Sequence, residues 1–504
     1  MKQEQTTTEL FKEKYRPQFH FSPPTKWMND PNGMVFYEGE YHLFYQHYPD
    51  SNVWGPMHWG HAVSEDMVHW THLPIALYPD ELGYIFSGSA VIDWENRSGL
   101  GEEGDIPMVA IYTYHDTTGE FNGASDFQTQ GIAYSLDKGR NWEKYEGNPV
   151  ISNPGIRDFR DPKVSWHEAS GKWVMILAVK DRIHIYTSAD LKNWEFASEF
   201  GENTGAHGGV WECPDLFELP VKGEEHTKWV MLVSINPGGP NGGSATQYFV
   251  GEFDGKTFTM DENFLAEGTG DALWMDYGRD NYAGVSWSDI PVADGRRILL
   301  GWMSNWDYAR EVPTYVWRSA MTVPRTLSLR RTEAGMRLFS EPVEELSRLR
   351  GAPIEMTRDV LTESMPLSMW EGPLMELKLS FDLQQGQSTR VGLALTNEQG
   401  DIYQLGIDQK ENTFFSDRTA AGKIDFSDAF ASGIHIAPRL SAPKRVEMHV
   451  LLDVSSVELF ADSGGVVLTD LIFPNEDFQE VSIFCEDGEV RNVKVTLFPL
   501  NPIW

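Results

Sequence analysis

The chain has 504 residues, and its 41 Lys and Arg against 75 Asp and Glu give a formal net charge of −34. A field of that sign repels polyanions, so the charge argues against nucleic acid or an anionic bilayer as a partner. With 41% hydrophobic and 12% aromatic residues the chain is not disordered, and its length suggests two or three domains.

The location of the protein is only partly constrained by the sequence. No run approaches the roughly 20 apolar residues that a membrane helix requires, and Met1 to Thr8 lack the apolar stretch of a secretory signal. As written, this predicts a cytoplasmic protein, although a secreted chain given a new start Met would look the same. Cys213 and Cys485 are the only cysteines, so no disulfide framework is implied.

Taken in chain order, short runs of alternating apolar residues bounded by Gly, Pro, Asn and Asp predict an all-β chain. A Ser-x-Asp pattern followed by an aromatic residue recurs along it, with a weaker version in fourth place. These segments are Ser64 to Trp70, Ser135 to Trp142, Ser188 to Trp194 and Phe253 to Phe258. The spacing is about that of a four-stranded sheet with its loops.

A second element also recurs, a polar turn followed by two apolar strands. Its five copies begin at Asp30, Phe86, Asp161, Glu212 and Asp280. From Asp30 to Asp280 the copies are spaced by about 62 residues on average, so five units fit the first two-thirds of the chain. The pattern predicts a five-bladed β-propeller over residues 1–339.

The remaining chain predicts a linker and a second domain. Ser340 to Gly351 has a Ser cap, an early Pro and early acids, late Arg residues and a terminal Gly, which is typical of a short helix. We therefore place a linker helix at residues 340–354. Met375 to Leu383, Val446 to Val454 and Val490 to Leu497 alternate with period two, which predicts a β-sandwich over residues 355–504.

The repeat suggests where chemistry takes place. Equivalent positions in the blades of a propeller converge on its axis, so we expect Asp30, Asp161 and Glu212 to share one pocket. Glycoside hydrolysis uses such acids, one ionised to attack the anomeric carbon and one protonated to release the leaving group. The alternative is that Asp30-Pro31 and Asp161-Pro162 are ordinary turns. Turns alone do not require acids at matching places in three repeats.

Three motifs at these acids resemble the signature motifs of glycoside hydrolase family 32, the β-fructofuranosidases. They are Trp27-Met-Asn-Asp-Pro-Asn-Gly33, Phe159-Arg-Asp-Pro-Lys163 and Trp211-Glu-Cys-Pro-Asp215. Further matches are Phe86-Ser-Gly-Ser-Ala90, Asp276-Tyr-Gly278 and Gly301-Trp-Met-Ser-Asn-Trp306. The similarity covers nearly the whole chain and is strongest to bacterial levanases and exo-inulinases.

The resemblance implies a retaining double displacement that needs no cofactor and no metal. It assigns Asp30 as nucleophile, Glu212 as general acid and base, and Asp161 as transition-state stabiliser. It also implies a set of substrate-binding residues around the terminal fructose, in which Trp27 and Trp306 form the walls. That set is Trp27, Asn29, Gln46, Trp54, Phe86, Ser87, Arg160, Trp302 and Trp306. For Trp54 and Trp306, core packing is the alternative.

The same roles make demands on protonation. Asp30 must be ionised, which hydrogen bonds from Asn29 and the charge of Arg160 would favour. Glu212 must stay protonated until it acts, and we expect burial beside Trp211 together with repulsion from Asp30 to raise its pKa.

The function that follows is an exo-β-fructosidase releasing fructose from levan, inulin and sucrose, with exo action if the funnel is closed at one end. Alternatives are an invertase or a fructosyltransferase acting on sucrose. A more distant alternative is a binding propeller without activity, in which the acids hold sugar hydroxyls or Ca²⁺. The sandwich could support the propeller, add a sugar contact, or form the interface of a homo-oligomer.

Overall fold

The structure is a computed structural model that describes residues 10–262, 264–265, 272–367, 372–387, 389–440 and 443–504. Five small antiparallel sheets surround an axis as a five-bladed β-propeller, and two six-stranded sheets follow as a β-sandwich. The predicted fold class is confirmed. In the described ranges, no helix is both long and apolar enough to cross a bilayer.

The first two blades follow the chain from the axis outward. Their elements are β1 (Lys26–Tyr37), β2 (Glu40–Tyr48), β3 (His58–Ser64), β4 (Thr71–Leu77), β5 (Tyr84–Ile92), β6 (Met108–His115), the helix α1 (Thr117–Phe121), β7 (Gln128–Ser135) and β8 (Glu143–Lys144). Every residue of β6 is buried, because neighbouring blades cover both faces of the sheet. The outermost strand β4 is largely half-buried or exposed.

Blades three and four repeat this order. Their strands are β9 (Phe159–His167), β10 (Lys172–Val179), β11 (Arg182–Ser188), β12 (Trp194–Phe200), β13 (Val210–Pro220), β14 (Thr227–Asn236), β15 (Ala245–Phe253), β16 (Phe258–Met260) and β17 (Leu273–Trp274). The short β17 pairs with β15 at the side of blade four.

Blade five closes the ring. Its strands and the short strand β20 are β18 (Tyr282–Ser286), β19 (Arg297–Met303), β20 (Trp317–Arg318), β21 (Ala320–Met321), β22 (Arg325–Thr332) and β23 (Gly335–Pro342). The strand β20 leaves this blade and pairs in parallel with β1, matching Lys26 to Trp317. This pairing ties the end of the propeller to its beginning.

The Ser-x-Asp repeat forms the turn before the outermost strand of a blade. Asp66 Oδ1 accepts hydrogen bonds from the backbone N–H groups of Val68 and His69, at 3.0 and 2.8 Å. The indole of Trp70 then donates to the carbonyl of Met67, 3.1 Å away. The indole bond recurs in blades two and three, from Trp142 to the carbonyl of Gly139 and from Trp194 to that of Leu191. Asp190 repeats the two backbone bonds of Asp66, whereas Asp137 accepts from the N–H of Asn141. The repeated sequence is therefore a repeated capping turn.

The helix found at the linker is shorter than the one predicted for residues 340–354. Ser340 and Glu341 continue β23 and pair with Leu327 and Thr326 of β22. A 3-10 helix covers only Glu344–Leu349, and its cap, Val343, makes no side-chain hydrogen bond. The strand extends because pairing with β22 outweighs the local preference of Ser340 to cap a helix. It ends at Pro342 because proline has no N–H to donate to the ladder.

The sandwich consists of two sheets packed face to face over the largest apolar cluster of the molecule. Its strands are β24 (Ile354–Leu361), β25 (Met365–Pro366), β26 (Met375–Leu383), β27 (Arg390–Thr396), β28 (Ile402–Asp408), β29 (Thr413–Ala420), β30 (His435–Pro438), β31 (Arg445–Asp453), β32 (Ser456–Ala461), β33 (Val466–Leu471), β34 (Glu480–Glu486) and β35 (Val490–Pro499). The three strands expected from period-two alternation correspond to β26, β31 and β35.

Buried ions join the sandwich to the propeller. Glu458 of β32 contacts the Arg325 guanidinium of β22, which also donates to Asp276 at 2.9 Å. His20, in the segment before β1, lies between Asp453 and Glu458 with ring nitrogens 2.8 and 2.7 Å from their carboxylates. These contacts fix the two domains to each other and were not anticipated from the sequence.

Candidate active site

All five inner strands of the propeller carry a β-bulge at the same height. In each, two residues lie opposite a single residue of the second strand. The bulged pairs are Asn29-Asp30, Phe86-Ser87, Asp161-Pro162, Cys213-Pro214 and Ala283-Gly284. A bulge redirects side chains out of the regular alternation of a strand, so these positions face the axis instead of the blade interior.

The bulges explain the prolines in these strands, since Pro31 directly follows a bulged pair and Pro162 and Pro214 belong to one. Asp30 and Asp161 lie within strands, so the interpretation of Asp30-Pro31 and Asp161-Pro162 as turns is wrong. Proline has no N–H to contribute to the ladder, and a bulge is one of the few sheet positions that accept it. Asp161 and Cys213 have positive φ angles of 67° and 44°, a conformation that costs energy for residues other than Gly.

The structure brings the three predicted acids close together. Asp30 Oδ2 accepts a hydrogen bond from Ser87 Oγ at 2.6 Å and lies 3.5 Å from Cys213 Sγ. Asp161 Oδ2 accepts from the backbone N–H of Cys213 at 3.0 Å, and the same thiol is 3.6 Å away. Cys213 therefore bridges the carboxylates of the first and third blades, and it directly follows Glu212 in the fourth.

Glu212 is held at both carboxylate oxygens. Arg160 donates to Oε1 from Nε at 3.1 Å and from Nη2 at 2.9 Å. The hydroxyl of Tyr282 donates to Oε2. The side chain is 20% exposed, so it remains accessible to solvent and to a substrate. Arg160 is in turn fixed by Asp158, 2.7 Å from Nη1.

The expected surroundings of Glu212 differ from those found. Trp211 points away from it because neighbouring residues of a strand face opposite sides. The Trp211 ring packs against His207 and Phe249 in the blade. The immediate neighbours of Glu212 are thus a cation and a phenol. Tyr282 was not predicted as a site residue, although the fifth copy of the repeat begins at Asp280 and contains it.

Burial dominates the electrostatics of the two aspartates. It raises the pKa of Asp30, and repulsion from Glu212 adds to this, while hydrogen bonds from Ser87, Asn29 and Cys213 oppose it. Burial likewise raises the pKa of Asp161, against the charge of neighbouring Arg160. The pKa of the Cys213 thiol is also raised well above its usual value by burial and by the carboxylates around it. The site therefore keeps closely spaced acids at an energetic cost.

The predicted aromatic residues form two groups. Trp27, Trp302 and Trp306 contact one another, with ring centroids 4.8 to 6.3 Å apart. Of the three, only Trp306 has an exposed surface, whereas Trp27 and Trp302 are fully buried and support it. Trp27, which we expected to form a wall, instead donates from its indole nitrogen to Asn29 at 2.7 Å.

The second aromatic group lies on the side of blade two. Trp54, in the loop before β3, meets Phe86 edge to face at 6.0 Å, and Phe86 stacks on His115 at 4.2 Å. Trp54 and Phe86 both retain exposed surface. Gln46 is buried opposite the Asn29-Asp30 bulge and donates to the carbonyl of Ile85 at 3.0 Å, which links blades one and two.

A polar layer closes the funnel beyond the acids. Asp215 accepts from the N–H and the hydroxyl of Ser286 at 2.6 and 2.7 Å. Lys163 donates to the carbonyl of Ser286 at 2.5 Å and lies 3.6 Å from Asp215. These residues come from blades three, four and five and are nearly inaccessible to solvent. We call Lys163, Asp215 and Ser286 the closing layer. Its residues were not predicted.

Neither thiols nor a metal cluster add a further reactive group that the described residues reveal. Cys213 in the site and Cys485 in the sandwich are both buried and free. Within the described ranges, no group of three or more His, Cys, Asp or Glu side chains is arranged to hold a metal ion.

Comparisons with known proteins agree with this geometry. The glycosyl hydrolases family 32 N-terminal domain matches residues 20–342, and the family 32 C-terminal domain matches residues 345–499. A levanase of Bacillus subtilis is 49% identical over 98% of this chain and 72% of its own length. The extracellular exo-inulinase of Aspergillus niger is 40% identical over 97% of this chain and 95% of its own. The crystal structure of exo-inulinase from Aspergillus awamori superposes with a TM-score of 0.91 at 38% identity, covering 98% of this chain and all of that one. The chain belongs to glycosyl hydrolase family 32.

Proposed function

We propose that the protein is a retaining exo-β-fructosidase that releases terminal β-D-fructofuranosyl residues from levan and inulin, and that it also cleaves sucrose. The observation that carries this proposal is the meeting of Asp30, Asp161 and Glu212 around Cys213 and Arg160, with the closing layer beyond them along the inner strands. A sealed funnel admits the end of a chain and not its middle. The relatives named levanase and exo-inulinase support the same substrate class.

In the proposed first step, Asp30 attacks the anomeric carbon of the terminal fructose and Glu212 donates its proton to the leaving oxygen. The bond from carbon to the leaving sugar breaks as the ester to Asp30 forms. Arg160 and Tyr282 hold both oxygens of Glu212, so they stabilise the carboxylate that remains after the proton has left.

In the second step, the Glu212 carboxylate takes a proton from water, which attacks the same carbon and releases fructose from Asp30. Asp161 would accept hydrogen bonds from ring hydroxyls and stabilise the positive charge that develops on the ring. The backbone N–H of Cys213 orients Asp161 for that task.

We further infer that the sandwich supports the propeller. Glu458, Asp453 and Arg325 are buried at the contact between them, and the N-terminal segment joins it through His20. The site residues themselves all lie in the propeller.

Chromatography of the products from levan, inulin and sucrose tests the proposal. Free fructose as the first and main product from both polymers is the expected result. Fructan oligosaccharides as early products would indicate cleavage within the chain, and longer sugars made from sucrose would indicate transfer. Asp30→Ala and Glu212→Ala are each expected to abolish turnover with the circular dichroism spectrum unchanged.

A further inference from the structure

A second cavity opens at the end of the propeller axis opposite the acids. Its volume is about 980 Å³, within the range of small-molecule binding sites. It is lined by residues that follow the site residues along the inner strands, such as Ile92 after Ser87, Lys163 after Asp161 and Asp215 after Glu212. The closing layer separates the two cavities. We call this second space the far-end cavity.

The floor of the far-end cavity carries balanced charge. Lys163 and Arg297 provide two cations, and Asp215 and Asp289 provide two anions. The Arg297 guanidinium donates to the described part of the chain through Nη1 alone, 3.3 Å from the Trp287 carbonyl and 3.5 Å from Ser286 Oγ. Its remaining N–H groups are free to donate to a ligand. A floor with equal charges of both signs suits a neutral molecule rich in both donors and acceptors.

Tryptophan rings stand around this floor. Trp94 is 54% exposed, yet its indole nitrogen donates to Asp289 at 2.9 Å and its ring contacts Tyr37, so the ring is fixed while about half of its surface stays accessible. Trp166 is fixed likewise by Glu168 at 2.7 Å, and the Arg97 guanidinium lies over its ring, 4.5 Å from the centroid. Trp229 completes the set, packed edge-on against Phe253. Fixed aromatic faces beside polar groups are the usual surroundings of a bound sugar ring, because its C–H face is apolar and its edge is polar.

The rim of the far-end cavity excludes one class of ligand. Four exposed carboxylates border it, with Arg97 as the opposing charge; they are Glu95, Glu168, Glu218 and Glu252. Together with the net charge of −34, this rim repels phosphorylated or otherwise anionic molecules. A neutral carbohydrate is not repelled.

We propose that the far-end cavity binds a stretch of neutral fructan chain without cleaving it. The assignment of the sugar as fructan rests on the proposed function. The closing layer keeps a chain bound there from reaching Asp30 or Glu212. Binding at this second place raises the concentration of polymer at the enzyme, so it favours long substrates over sucrose.

Titration calorimetry tests the proposal directly. The background is Glu212→Gln, which removes turnover, and the probe is a fructo-oligosaccharide of four units. We expect two binding sites per chain in this background, one when Trp94→Ala is added, and two when Phe196→Ala is added. Phe196 is a matched control because it is 56% exposed on β12, outside the lining of the far-end cavity.

Kinetics provides a second readout in the otherwise unchanged enzyme. Trp94→Ala and, separately, Trp166→Ala are expected to raise the KM for levan or inulin about threefold or more and to leave the kcat/KM for sucrose unchanged. The proposal would be overturned by a single binding site in every titration, or by an equal relative loss of kcat/KM on polymer and on sucrose. Tighter binding of dextran than of the fructan would also overturn it. Failure of the proposed function would appear differently, as a lack of fructose release from every substrate by the unmodified enzyme.

Discussion

Arg160 donates two hydrogen bonds to the same oxygen of Glu212, at 3.1 and 2.9 Å, although the two residues lie 52 positions apart on neighbouring blades. The other oxygen of that carboxylate accepts from Tyr282 of the fifth blade. Three blades thus set the orientation of one acid. Losing any of these donors should affect the reaction more than the fold.

The contact with Tyr282 gives the first prediction. Tyr282→Phe removes one donor to the carboxylate that forms as the leaving group departs, so kcat on sucrose should fall about tenfold to a hundredfold while the fold is kept. Initial rates at saturating sucrose measure this. Tyr403→Phe is the matched control, because that buried tyrosine donates to Asp470 in the sandwich and its loss should leave kcat unchanged. An unaltered kcat in Tyr282→Phe would remove Tyr282 from the mechanism.

The protonation of Asp30 gives the second prediction. The proposed nucleophile must be ionised, and burial raises its pKa, so activity should fall on acidification at a pH above the usual aspartate value of about 3.9. Ser87→Ala removes a hydrogen bond that lowers the pKa of Asp30, and should therefore move the acid limb of kcat/KM to higher pH. Ser89→Ala, whose hydroxyl donates to the Pro162 carbonyl, should not move it. A shift toward lower pH in Ser87→Ala would contradict the assignment.

The third prediction concerns the stability cost of the acids. Burial raises the pKa of Asp161 to about 7, so the folded state binds a proton more tightly than the unfolded state, and ionisation destabilises the fold as the pH rises from about 4 to 7. Asp161→Asn removes that cost. Its free energy of unfolding should exceed that of the unmodified protein by about 1 kcal/mol or more at pH 8, with little difference at pH 4. Denaturant unfolding at both values measures this, and a less stable variant at pH 8 would refute the argument.

The fourth prediction concerns the contact between propeller and sandwich. Asp453 and Glu458 raise the pKa of His20 to about 9 despite its burial, so its protonated form stabilises the fold fully below the unfolded value of about 6.5. That contribution is lost as the pH rises through 9. The melting temperature of the unmodified protein should therefore drop between pH 6.5 and 9 more steeply than that of His20→Gln, which should be the less stable of the two at pH 6. Parallel pH profiles would show that His20 is uncharged in the folded protein.

The architecture could be predicted from the sequence because it repeats. The turn of Asp66 with Trp70 is local, so its residues recur in the first three blades. The same holds for the acids on β1, β9 and β13: Asp30 and Asp161 lie in equivalent bulges, and Glu212 directly precedes the bulge of β13. The linker could not be predicted correctly, because Ser340 is a good helix cap in isolation and only its partner strand shows that it belongs to β23.

The remaining site residues needed the three-dimensional structure. The repeat places Tyr282 in its fifth copy but does not indicate a role for it, since its hydroxyl acts only through Glu212 on another blade. Lys163 and Asp215 follow two of the acids by two and three positions, but a charged residue in a strand predicts an exposed face, not a buried layer. Trp27 was expected at the surface of the pocket because aromatic rings bind sugars, and its complete burial shows that packing decided its place.

Mass spectrometry of a trapped intermediate tests the central claim most directly. Glu212→Ala lacks the base for the second step. A fructoside whose leaving group needs no protonation should therefore form the covalent fructosyl-enzyme faster than water hydrolyses that intermediate. After proteolysis, the account predicts one added fructosyl group on the peptide that contains Asp30, and none when Asp30→Ala is combined with Glu212→Ala. A fructosyl group on any other residue would contradict the account.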